Sequence, residues 1–175
     1  MERITRISVV MALAALAVGA GTAGATTSVD RDPDVTSPGV QARIDRGDEF
    51  VAQRRYSAAR DAYGRAAELQ RDSGRLPAHA MRRIANAYYY EGRLKSAART
   101  LDELADEAAS FGDLRVQAWA LADAAWLYGR AGAGLEVSRR LARLERLLTS
   151  PYMPDSVRLR ITEFRLDGGA VMTLR

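Results

Sequence analysis

Arg82 and Asn86 stand four residues apart in a helical pattern, so both project from one helix face. A guanidinium offers a planar fork of donors and an amide offers two more, a pair suited to holding a carboxylate. The plainer alternative is a solvated Arg beside a surface Asn. Trp119 and Trp126, the two tryptophans of the chain, are seven apart and share a face offset from the stripe Leu121 to Tyr128. Aromatic rings so placed are favoured anchors for a peptide. Because this segment is apolar nearly all round, the rings could equally be buried between neighbouring helices. His79 is the only His, with no partners clustered near it, so a zinc site is not expected. The absence of Cys excludes disulfides, thiolate chemistry and Cys-ligated metal. No Gly-rich phosphate loop, Gly-x-Ser-x-Gly or HExxH occurs, and Ser, Asp and His show no triad spacing. The expectation is binding rather than catalysis, with no catalytic residue, metal or cofactor.

These residues need helices to position them, and the sequence supplies helices in pairs. From Ala80 to Ala109, Met81, Ile84, Ala85 and Tyr88 fall at i, i+3, i+4 and i+7 on one side of the turn Glu91-Gly92-Arg93. Leu94, Ala97, Ala98, Leu101, Leu104 and Ala105 follow the same rule on the other. Gly92 sits where a C-cap needs a left-handed residue. Such a hairpin has one dry face that it cannot bury alone. The segment 40–75 reads as an earlier copy, with helix faces at Ile44, Gly47, Phe50 and Val51 and at Tyr56, Ala59, Tyr63 and Ala66, and a turn near Arg54-Arg55. The segment 113–150 reads as a third, from Leu121, Ala124, Ala125 and Tyr128 to Val137, Leu141, Leu144 and Leu148, with Gly129 and Gly132 bracketing the turn. Ala59, Ala97 and Val137 are equivalent, 38 and 40 residues apart, and the linkers Asp72-Ser73-Gly74 and Ser110-Phe111-Gly112 match. A fixed period of this kind, with small residues at the helix crossings, means stacked helix pairs. A last helix over 155–166, with Val157, Ile161 and Phe164 on one face, would cover the open end; 167–175 reads as a tail.

The ends and the charge bound the setting. Residues 1–25 read as an export signal: Arg3 and Arg6, an apolar run from Ile7 to Val18, then the small-x-small site Ala23-Gly24-Ala25. The alternative is an uncleaved membrane anchor, since Ile7 to Gly24 carries no charge. Either way the expected location is exported, periplasmic or secreted, and membrane contact is expected only if the segment is retained. Residues 26–39, with two Pro and three Asp, read as a flexible leader. Removing 1–25 takes Lys plus Arg from 26 to 24 and Asp plus Glu from 22 to 21, leaving +3 in place of +4. So mild an excess argues against nucleic acid as a partner.

In the quoted repeats the chain resembles the tetratricopeptide repeat family, over about residues 40–149. The first copy carries Gly47, Phe50, Tyr56, Ala59, Tyr63 and Ala66 on the family's signature positions. The second keeps Ile84, Ala85, Tyr88, Gly92, Ala97 and Leu101, and the third Ala125, Tyr128 and Gly132, with Val137 where Ala is usual. The period is longer than the family's common 34 residues. The resemblance implies an all-α fold, a right-handed α-solenoid of three antiparallel helix hairpins plus a C-terminal capping helix. It also implies that the first helix of each pair lines a concave groove that binds protein or peptide segments. Groove positions would be Gln41, Ile44, Asp48 and Val51; then His79, Arg82, Asn86, Tyr89 and Tyr90; then Trp119, Ala122, Trp126 and Arg130. Members that grip a partner's terminal carboxylate use basic and Asn residues at the Arg82–Asn86 spacing. Trp126 stands where a second Asn would be, so the full clamp is absent. Self-association through the stack ends or convex face is the second expectation.

Overall fold

A computed structural model describes residues 37–164, and these are all-α. The seven helices are α1 (Pro38–Ala52), α2 (Tyr56–Asp72), α3 (Ala78–Tyr90), α4 (Leu94–Phe111), α5 (Leu114–Arg130), α6 (Gly134–Leu148) and α7 (Asp155–Phe164). No strand occurs among the described residues. The export signal, the leader up to residue 36 and the tail expected after the last helix lie outside them, as does the side chain of Phe164.

Each helix from α1 to α6 packs on its neighbours in the chain, and α7 packs on α5. The reason lies in the turns. After α1 to α5 the chain closes the same double hydrogen bond, for instance Arg93 N–H to the Tyr88 carbonyl at 2.9 Å and Gly92 N–H to the Tyr89 carbonyl at 2.9 Å. This is the Schellman arrangement, and it needs a left-handed residue just past the helix end. Gly92 and Gly132 fill that place inside the second and third hairpins, at φ 79° and 71°. Arg54 fills it in the first at φ 57°, a left-handed conformation that costs a residue with a Cβ. The turn expected near Arg54-Arg55 is therefore present without the glycine. Gly129, expected to bracket the third turn, lies inside α5 instead, which runs on to Arg130.

Small residues let the helices approach. Ala59, Ala66, Ala97, Ala105, Ala118 and Ala124 are wholly buried where helices cross. The apolar interior falls into two clusters. One joins α1, α2 and α3 around Ile44, Ala59 and Tyr63. The other runs from α3 to α7 around Leu104, Leu121, Leu144 and Ile161. The expected last helix is present, and its Val157 and Ile161 are buried. Arg158 donates to the carbonyls of Leu148, Ser150 and Met153, tying α7 to the end of α6.

Between helices, carboxylates and cations 36 to 38 residues apart meet: Arg71 with Glu107 at 2.8 Å, Asp102 with Arg140 at 2.5 Å and Asp106 with Arg143 at 2.5 Å. These separations are close to the spacing of Ala59, Ala97 and Val137, and they bring positions on α2, α4 and α6 together. Arg71 and Asp106 are well exposed, and such pairs contribute little each.

Candidate functional site

The residues singled out for chemistry lie on α3 and α5. On α3, Arg82, Asn86 and Tyr89 fall at i, i+4 and i+7; on α5, Trp119, Asp123, Trp126 and Arg130 fall at i, i+4, i+7 and i+11. Each set therefore shares one helix face. The two faces meet at their C-terminal ends. The Tyr89 and Trp126 rings lie 6.0 Å apart between centroids, tilted by 43°. The Arg130 guanidinium sits 5.2 Å over the Trp126 ring, and Tyr89 meets Tyr90 edge to face at 5.8 Å. Tyr90, half exposed, stacks at 6.4 Å on Tyr56 at the start of α2. Four aromatic rings and one cation thus form a continuous row across α2, α3 and α5. Such ring pairs contribute about 0.5–1.5 kcal/mol each beyond their burial.

The two readings of the tryptophans combine. Trp119 and Trp126 are half-buried, with part of each ring packed on the interior and part turned outward. Ile44 and Ala122, expected among the groove positions, are buried at 1% and 3% exposure and belong to the interior. Their spacing fitted both faces, and at a boundary position an apolar side chain goes inward. His79 accepts from Arg83 at 3.5 Å, and Arg83 pairs with Asp48 at 2.8 Å.

Ahead of Tyr89 on α3, and between the two tryptophans on α5, the faces carry polar residues. The Nε of Arg82 is buried without a hydrogen-bond partner. Asp123 is half-buried, and among the described residues its carboxylate accepts no hydrogen bond and has no cation within 4.0 Å. Burial pushes its carboxyl above the ordinary aspartate range, and the charge of Arg82 opposes this only in part. Asn86, exposed one turn after Arg82 on α3, makes no hydrogen bond among the described residues.

Two other acids of the protein are fully provided for. Asp48 takes the Tyr63 hydroxyl at 2.5 Å and Arg83 at 2.8 Å. Asp102 takes the Tyr128 hydroxyl at 2.9 Å and Arg140 at 2.5 Å. In both places burial, with the neighbouring carboxylate, pushes the tyrosine upward, Tyr128 to about 12. These two are structural ties. Asp123, half-buried, has no such tie among the described residues, and it was not among the residues the sequence pointed to. The signal in the sequence is its spacing, four residues after Trp119 and three before Trp126 on one helix face.

The raised Asp123 has a consequence for stability. The folded protein holds this proton to higher pH than the unfolded chain does. Just above the ordinary value of 3.8 the folded state binds more protons, so stability falls as pH rises through that window. Asp123→Asn removes the titration. In urea melts its midpoint is expected to gain on wild type between about pH 4 and about pH 7. An unchanged difference at the two pH values would contradict the burial cost.

Among the described residues, no group of three or more His, Asp or Glu could hold a metal ion, and no helix is long and apolar enough to cross a membrane. A hollow between α4 and α6 is lined by Lys95, Arg99, Asp102, Glu136 and Arg140, but Arg140 already pairs with both Asp102 and Glu136. A scan against protein-family models finds no match, and a search of the curated proteins finds none either.

Proposed function

We propose that this chain is an exported, non-enzymatic scaffold that binds a protein or peptide segment in a concave groove. In this reading the helices form a right-handed α-solenoid like that of tetratricopeptide repeats, three hairpins and a capping helix, and residues 1–25 direct export. The groove is lined by Arg82, Asn86, Tyr89, Tyr90, Trp119, Trp126 and Arg130. One observation carries the proposal: the faces of α3 and α5 end in a shared aromatic row, while among the described residues Arg82 Nε beside it is buried without a hydrogen-bond partner. A surface of half-buried rings around a few unsatisfied polar groups is what a binding site requires. The repeat period and the left-handed turns support the solenoid.

A second reading has its own support. Leu135, Tyr152 and Leu159 are exposed at 66%, 84% and 62%, all toward the C-terminal end, where apolar surface favours association of copies. Site-specific photo-crosslinking in cells separates the two. A benzophenone at Asn86 is expected to give an adduct with a different protein, and one at Arg99 on α4 to give none. Adducts only from Leu159, at the mass of two copies of the chain, would favour assembly and overturn the groove.

A further inference from the structure

The aromatic row has a one-sided chemistry. Tyr56, Tyr90, Tyr89 and Trp126 follow one another at 6.4, 5.8 and 6.0 Å between centroids, and Arg130 closes the row 5.2 Å over Trp126. Among the described residues the hydroxyls of Tyr56, Tyr89 and Tyr90 and the indole N–H of Trp126 make no hydrogen bond, and none of them is sealed from solvent. Indole and guanidinium can only donate, and a phenol can donate as well as accept. The row itself carries no acid. Glu91, next in the chain after Tyr90, is already held by Arg60 at 2.8 Å and Arg93 at 3.5 Å, and Asp123 stands one turn behind Trp126 on α5.

This chemistry selects among the segments that could lie on the row. An ordinary extended chain brings an N–H at every residue, and an N–H pressed against ring faces without an acceptor loses its bond to water and gains none. Proline has no N–H and keeps its carbonyl. A run of prolines takes the polyproline II helix, whose carbonyls make no internal hydrogen bonds and whose shape is set before binding, so little order is lost on docking. At about 3.1 Å per residue, each step of the row matches about two residues of such a helix.

We infer that the partner segment is proline-rich and lies in polyproline II form along this row. Its pyrrolidine rings pack on Tyr56, Tyr90, Tyr89 and Trp126, and its carbonyls accept from the tyrosine hydroxyls, the Trp126 N–H and Arg130. The inference rests on the groove reading and deepens it by naming the class of segment held.

The test uses the full chain and two probes of equal length with the same fluorescein label, decaproline and an alternating Gly-Ser decapeptide, with affinities read by fluorescence anisotropy. Decaproline is expected to bind saturably and the Gly-Ser peptide not to bind. Tyr90→Ala, at a half-exposed position that the fold can spare, should lose about tenfold, and Tyr90→Phe, which keeps the ring and removes the donor, about threefold. Arg99→Ala on α4 should leave the affinity unchanged. Decaproline bound equally by wild type, Tyr90→Ala and Trp126→Ala would overturn the inference. A phage-displayed library of linear 12-residue peptides, selected on the same protein, separates it from the groove reading. Peptides that require Trp126 but are not enriched in proline would overturn this inference and leave the groove standing. No Trp126-dependent peptide and no binding of decaproline would overturn both.

Discussion

Gly47→Ala is expected to destabilise the protein by about 2 kcal/mol, although alanine is the better helix former. Gly47 lies inside α1, and a Cβ built there would stand 2.2 Å from Cε1 and 2.5 Å from Cδ1 of Tyr63. The ring cannot swing away cheaply. It is 1% exposed in the α1–α2–α3 interior, and its hydroxyl is committed to Asp48 at 2.5 Å. Overpacking of a dense interior costs about 1–3 kcal/mol, and displacing a hydrogen bond to a charged group about 1.5–3 more if it is lost. Against this stands a helix-propensity gain of about 1 kcal/mol, so the steric term wins. Gly64→Ala is the internal control. Gly64 also lies inside a helix, α2, but its Cβ would meet nothing within 4 Å. That substitution is expected to stabilise by about 0.5–1 kcal/mol. Thermal melts should therefore move in opposite directions for the same chemical change, by several degrees downward for Gly47→Ala. A Gly47→Ala melt at or above wild type would contradict the packing described for Tyr63.

The contrast between these two glycines also marks what could be read from the sequence. Among the described residues, periodicity placed the seven helices and four of the five left-handed turn residues, because a dry stripe at i, i+3, i+4, i+7 and a glycine at its end are local patterns. Arg54 was legible only as the place where a turn must fall, since nothing in its type predicts a positive φ. The candidate face was legible in part. Arg82, Asn86, Tyr89, Trp119, Trp126 and Arg130 do share helix faces on α3 and α5. Ile44 and Ala122 were misplaced, because a position at the edge of a stripe fits either side until its neighbours are known. Asp123 was missed for a related reason. That a carboxylate lacks a partner depends on which cations come near in space, and Arg82 is 41 residues away in the chain. The ties of Asp48 and Asp102 are long-range in the same sense, with Tyr63 and Tyr128 reached across a helix crossing.

The central claim is that a partner is held against the rings of α3 and α5, and replacing both tryptophans should have the largest functional effect of any change here. Anchoring aromatics commonly account for 2 kcal/mol or more each when truncated, about thirtyfold in affinity. Trp119→Ala with Trp126→Ala should therefore abolish capture at ordinary protein concentrations. The rings are half-buried, so the double variant also loses some stability. Leu104→Ala controls for that: Leu104 is wholly buried on α4, and the change costs about 2–5 kcal/mol without touching the α3–α5 face. The measurement is affinity capture from an envelope extract by the full chain, the double variant and Leu104→Ala in parallel, with retained proteins compared by mass spectrometry. A protein should be retained by the wild type and by Leu104→Ala, and lost from the double tryptophan variant. The same protein retained equally by all three, or recovery of nothing but the chain itself, would contradict it.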